Sequence, residues 1–143
     1  MYKRILVPLD GSKASSTALK EALALAKEQG ARVCLTHVYE RIKHVVTEGV
    51  IDLTPALRVQ GEQLLAESAS RARKAGVKAT TALVEAGSRR VPAAIVEQAA
   101  AEGADLIVMG THGRKGFERL MLGSVAEGVA RRATVPVLLL PRC

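Results

Sequence analysis

Two glycine-bearing segments hold the residues best placed to do chemistry: Gly110-Thr111-His112-Gly113 and, after a nine-residue gap, Gly123-Ser124. Glycine reaches positive φ and lets backbone approach a ligand closely, so such a loop can turn its N–H groups inward around an anion. Gly123 and Ser124 would open a helix, Val125 to Arg132. The free N–H groups and positive dipole end of that helix favour a phosphate, and the Ser124 hydroxyl can cap it or donate to an oxygen. The spacing lacks both the Gly-Lys-Ser/Thr of a Walker loop and the Gly-x-Gly-x-x-Gly of a dinucleotide fold. A plain glycine-rich connection followed by a serine N-cap is the alternative. Arg114, Lys115 and Arg119 lie between the glycines, where a cation could pair with a γ-phosphate or simply stay solvated. His112 could approach a triphosphate but has no evident acid–base partner, and with His37 and His44 it makes no zinc or nucleophile constellation.

A cradle of this kind needs a rigid strand ahead of it. The run Ala104 to Met109 is short, apolar and β-branched, as suits a strand buried on both faces of a parallel sheet. At the amino terminus Lys3-Arg4-Ile5-Leu6-Val7-Pro8-Leu9-Asp10-Gly11-Ser12 predicts another such strand, ending in a turn and a cap. Helix would follow to Gly30, with Leu19, Leu23 and Ala26 on one face. Ala31 to Tyr39 predicts a second strand, Glu40 to Asp52 a polar loop, and Thr54-Pro55 the cap of a long helix. The apolar stripe of that helix is Leu57, Gly61, Leu64, Leu65, Ser68 and Ala72, while Arg71, Arg73 and Lys74 mark its wet face. Lys78 to Val84 is a third strand and Ser88 to Ala101 a helix, with Pro92 in its first turn and Ile95, Val96 and Ala99 inward. Pro136 to Pro141 closes the series. Five strands alternating with four helices predict an α/β fold, a doubly wound parallel sheet with right-handed crossovers. In such sheets ligands bind at the carboxyl ends of strands where the topology switches. Pro8, Leu9 and Asp10 would then floor one crevice, Val38 at the end of strand 2 would meet a base, and Met109 would wall the other side.

Together these stretches resemble the universal stress protein family over essentially the whole chain, and its nucleotide-binding branch in particular. The resemblance rests on the opening Ile5-Leu6-Val7-Pro8-Leu9-Asp10-Gly11-Ser12, on Ala104 through Gly113, on Gly123-Ser124, and on the closing Val135-Pro136-Val137-Leu138-Leu139-Leu140. It implies an adenine nucleotide α-hydrolase-like sheet of order 3-2-1-4-5, switching between strands 1 and 4, which sets Asp10 beside Gly110. It also implies ATP as ligand, with Asp10 near the ribose or a metal and Val38 giving backbone contacts to adenine. Gly110, Gly113, Gly123, Ser124 and Val125 would surround the phosphates, with Arg114 as a nearby cation. Mg²⁺ would arrive with the nucleotide, held mainly by phosphates and water. Taken singly, Val38 and Met109 equally fit plain core positions, and Asp10 a turn residue. Ligases and pyrophosphatases of the related fold carry Ser-Gly-Gly-x-Asp-Ser after strand 1, and Asp10-Gly11-Ser12-Lys13 stands here instead. A two-component receiver would place its acceptor aspartate at the end of strand 3, where this chain has Val84-Glu85-Ala86-Gly87.

A length of 143 residues with 48% hydrophobic content predicts a single domain, 1-143, able to bury a real core. The longest apolar runs are strand-length, and the basic start leads straight into a strand and Pro8, so no membrane segment or signal peptide is expected and the reading is cytoplasmic. Cys34 falls in a strand and Cys143 ends the chain, without the spacing of a disulfide framework or metal site. The formal charge of +7 invites polyanions, but 2% aromatic content provides no stacking platform, so no specific nucleic-acid partner is expected. The expectation is an ATP-binding regulatory or stress-response protein with at most slow hydrolysis, because no water-activating base stands out. A weak ATPase and a nucleotide-independent interaction protein of the same fold are the alternatives. The apolar last strand would be an exposed edge in a monomer, so a homodimer through Val137 to Leu140 is expected, as the resemblance also implies.

Overall fold

The computed structural model describes residues 1–112 and 122–141. Alternating short apolar runs become strands and the segments between them helices, in the order β1 (Arg4–Pro8), α1 (Lys13–Gln29), β2 (Arg32–Tyr39), β3 (Lys43–Val46), β4 (Gly49–Asp52), α2 (Thr54–Lys74), β5 (Ala79–Glu85), α3 (Val91–Glu102), β6 (Leu106–Gly110), α4 (Ser124–Arg132) and β7 (Val137–Leu140). The main sheet is parallel with order β5-β2-β1-β6-β7. Numbered by their own succession these strands run 3-2-1-4-5, as expected, and the topology reverses between β1 and β6.

Strand alternation divides the core in two. Ile5 and Val7 of β1 and Leu9 just past its end join Val33 and Leu35 of β2 beneath Leu19 and Leu23 of α1 and Leu65 of α2. Leu6 points the other way and joins Cys34, Ile107 and Met109 under Ile95 of α3 and Val129 of α4. Ile5, Leu6 and Ile107 are fully buried, each burial contributing roughly 1.5–3 kcal/mol of transfer free energy. Helix α1 is bounded as its sequence directs: Ser12 accepts from the Ser15 amide at 3.1 Å, and Gly30 ends it in the left-handed conformation, φ 68°.

Four sequence expectations need correction. The segment Glu40 to Asp52 is not a loop. Its residues 43–52 form an antiparallel hairpin, the β-branched pairs Val45-Val46 and Val50-Ile51 flanking a two-residue turn at Thr47-Glu48. Thr54 is not the cap of α2. The cap position is Leu53, without a side-chain bond, while Asp52 Oδ1 accepts from the Thr54 amide at 3.0 Å and the Thr54 hydroxyl from the Ile42 amide at 3.2 Å. Helix α3 begins at Val91 rather than Ser88, because residues 86–89 make a turn held by the Arg89 amide and guanidinium on the Ala86 carbonyl. Arg71 is half-buried and not simply solvated: its guanidinium donates to the Ser16 hydroxyl and carbonyl at 2.9 and 3.3 Å, tying α2 to α1 across a solvent-exposed contact.

Candidate functional site

The carboxyl end of β1 is fixed by two neighbours on β2. The Leu9 amide donates to the Thr36 carbonyl at 2.8 Å, and the Leu9 carbonyl faces His37 Nδ1 at 2.6 Å. A carbonyl can only accept, so Nδ1 carries the proton there. Asp10 then turns the chain into α1: its Oδ1 accepts from the Ser12 amide at 2.9 Å, and its own amide faces the Ser15 hydroxyl at 3.4 Å. Gly11 takes the positive φ of 82° that this turn requires. The turn role of Asp10 is therefore real, but it engages Oδ1 and leaves the residue on the wall of a cavity.

That cavity, of about 330 Å³, opens where β1, β2 and β6 end and α1, α3 and α4 approach. The size lies near the lower bound of small-molecule sites. Pro8, Leu9, Asp10, Val38, Met109, Gly110, Gly123, Ser124 and Val125 all line it. Gly113 and Arg114 fall outside the described residues, as do Lys115, Arg119 and Cys143. The lining also includes Ser12, Ser15, Glu40, Thr111, His112, Ala126, and Val91 and Ile95 of α3. Ile95 was legible only as an inward position of a helix, and Val91 was not singled out at all. The signal that they also face a ligand space is topological: the first turn of α3 lies above the carboxyl ends of β1 and β2.

The two glycines work differently from the expectation. Neither Gly110 nor Gly123 has positive φ. A Cβ on Gly110 would lie 2.7 Å from the Ala14 Cβ and 3.0 Å from its carbonyl carbon and oxygen. A Cβ on Gly123 would lie 2.7 Å from the Thr111 carbonyl oxygen, to which the Gly123 amide donates at 2.7 Å. Both positions exclude side chains because protein backbone passes there, not because a ligand must. Gly123 is also the N-cap of α4, so Ser124 is the first helical residue and not the cap. Among the described residues no side chain is seen to cap α4; its first residues Ser124, Val125 and Ala126 line the cavity, and the amides of a first helical turn have no acceptor within the helix itself.

The charge of the lining is acidic: Asp10 and Glu40 contribute carboxylates, and no lysine or arginine lines the cavity among the described residues. Among these residues no group of three or more His, Cys, Asp or Glu side chains is arranged for a metal ion. His112 is buried, with Nδ1 2.8 Å from the Thr111 hydroxyl. Cys34 lies deeper, under α3. Burial pushes its thiol above the ordinary value, against the opposing hydrogen bond to Thr80.

Residues 1–141 match the universal stress protein family. A universal stress protein of Methanocaldococcus jannaschii is 41% identical over 99% of this chain and 84% of its own length. Among solved structures, one from that family in Burkholderia pseudomallei superposes with a TM-score of 0.82 at 36% identity, covering 99% of this chain and 97% of the other. The universal stress protein of Archaeoglobus fulgidus in complex with dAMP gives 0.71 at 26% identity, covering 96% and 97%. Another universal stress protein, in complex with cAMP, gives 0.74 at 28% identity, covering 98% and 97%.

Proposed function

This chain belongs to the universal stress protein family, and from that premise we propose that it binds ATP, with Mg²⁺, as a nucleotide-dependent regulatory or stress-response protein. The observation that carries the reading is the amino terminus of α4, whose first residues Ser124, Val125 and Ala126 line a cavity floored by Leu9 and Asp10, with no side-chain cap seen among the described residues. A helix start of this kind compensates phosphate charge with N–H groups and dipole. Adenine nucleotides bound by relatives of the same fold support the ligand class.

In this reading Pro8, Val38, Met109, Val91 and Ile95 give the apolar walls that a purine needs, and the backbone of Val38 meets its edge. The carboxylate oxygen of Asp10 outside the turn serves the ribose or the metal. Mg²⁺ would supply positive charge to the phosphates, which matters in a lining whose described charges are two carboxylates. Gly110 and Thr111 hold the opposite rim, with Gly113 and Arg114 as further phosphate contacts. Asp10 Oδ1 is engaged by the Ser12 amide and His112 Nδ1 by Thr111, so neither is set up as a ready base. Retention of the nucleotide is favoured over turnover, with hydrolysis slow at most. The protein acts in the cytoplasm as a homodimer through Val137 to Leu140.

A calorimetric titration of nucleotide-free protein with Mg-ATP at physiological salt, with AMP, cyclic AMP and GTP in parallel, tests this. Saturation near one nucleotide per chain with preference for ATP is the expected result. A preference for AMP or cyclic AMP would keep the site and change its ligand. Absence of binding by all four would move the protein to a nucleotide-independent interaction role on the same fold.

A further inference from the structure

We propose that the hairpin β3–β4 is a contact surface for a second copy of this chain. Its ladder pairs Lys43 with Asp52, His44 with Ile51, Val45 with Val50 and Val46 with Gly49. Side chains alternate along a strand, so Lys43, Val45, Val50 and Asp52 share one face of the ribbon. That face is the more open one: Val45 is 85% exposed and Val50 62%, against 41% for Val46 and 48% for Ile51 on the other. The ribbon forms a sheet of its own, apart from the main one, and every residue from 40 to 53 is exposed. A two-stranded ribbon is marginal alone in water, and an opposed pair of exposed valines on its open face is apolar surface of the kind that marks a contact site.

Charge decides the occupant. The open face carries one positive and one negative side chain at the same ladder position, with the valine pair beside them. When two such ribbons stack face to face about a two-fold axis parallel to the strands, β3 of each lies over β4 of the other. Val45 then meets Val50 of the second copy and Lys43 meets its Asp52, each contact occurring twice and none joining like charges. The ribbon holds a single lysine against Glu48 and Asp52, in a chain whose formal net charge is +7. It is poorly suited to an anionic membrane or nucleic acid, and it offers a place where two basic copies approach without repulsion. The contact lies elsewhere than the β7 edge and does not depend on nucleotide binding.

The test is sedimentation velocity on the full chain over a concentration series, with thermal melts as the folding control. Wild type is expected to associate, and Val45→Asp/Val50→Asp to lose that step, halving the mass of the largest species with its melt unchanged. Lys43→Asp and Asp52→Lys are each expected to associate at least tenfold more weakly alone and to recover when mixed, because each reversed charge then faces its opposite. Asp52 also holds the Thr54 amide, so Asp52→Lys is used only if its melt is native-like, and the valine variant carries the test otherwise. An assembly unchanged by Val45→Asp/Val50→Asp overturns the proposal, as does a monomeric wild type or a failure of folded charge variants to pair on mixing. Unchanged assembly together with weakened nucleotide binding would overturn the proposal and make the hairpin a lid, since Glu40 of the cavity lining lies three residues before Lys43.

Discussion

A Cβ on Gly110 would meet Ala14 at its Cβ, carbonyl carbon and carbonyl oxygen together, and backbone cannot rotate aside as a side-chain tip can. Gly110→Ala is therefore expected to destabilise the fold by about 1–3 kcal/mol in urea denaturation, with or without nucleotide. Gly123→Val falls under the same objection, since its side chain would strike the Thr111 carbonyl before any ligand. Ser124 separates folding from binding. It is exposed, lines the cavity and is the first residue of α4, so Ser124→Glu places a negative charge where the helix dipole welcomes it and a phosphate does not. Its melting temperature should hold or rise while Mg-ATP affinity by calorimetry falls at least tenfold, a loss of about 1.4 kcal/mol; unchanged affinity would remove the phosphates from this helix end. Cys34 gives the pH prediction. Its folded thiol is raised by burial, so above about pH 8.5 the unfolded chain ionises while the folded one does not. The stability this residue contributes is complete below that pH and lost as pH rises through the folded value. Cys34→Ala should flatten the alkaline limb of stability against pH in urea titrations from pH 7 to 10.

At the scale of elements, the sequence was plain where one periodicity ran long and obscure where two signals overlapped. Helix α1 and strands β1, β2 and β6 were legible because Leu19, Leu23 and Ala26 repeat at helical spacing and Ile5, Leu6 and Val7 sit in an unbroken apolar run. The hairpin was not, because four-residue strands bearing Lys43, His44 and Asp52 among valines, joined by a turn at Thr47-Glu48, resemble a polar loop in composition. In the same way Ser88 looked like a helix start, whereas the Arg89 bonds to Ala86 and Glu85 hold that stretch as a turn. Replacing residues 44–51 with a glycine–serine linker should leave the unfolding free energy of the monomeric fold in urea titrations nearly unchanged, within about 0.5 kcal/mol, because only exposed side chains are removed. Helix α2 is tied more firmly. A Cβ on Gly61 would approach the His37 ring to 2.6 Å and Leu83 to 2.7 Å, and His37 in turn holds the Leu9 carbonyl of the cavity floor. Gly61→Ala should cost about 1–3 kcal/mol, and less in a His37→Ala background, in a double-mutant cycle by urea unfolding.

For the whole molecule, the order of strands was foreseeable from their alternation with helices, and the location of the cavity from the switch between β1 and β6. What side chains inside it do was less so: Asp10 serves the α1 turn as well as the cavity wall, and which oxygen the turn engages depends on a side-chain geometry that residue spacing does not encode. Strand β7 has one neighbour, β6, among the described residues, and Leu138 on it is 40% exposed. If this edge joins two copies, Leu138→Lys should halve the mass by light scattering, whereas an unchanged dimer would exclude it. The central position of β1 has a temporal side as well. Ile5 pairs with Val33 on one flank and with Leu106 on the other. One neighbour is available almost at once to a growing chain, whereas the second is made only after α2, β5 and α3. Through that interval the strand at the heart of the finished sheet presents a bare, apolar flank, the moment at which a nascent chain is most open to chaperones and to mispairing with another strand.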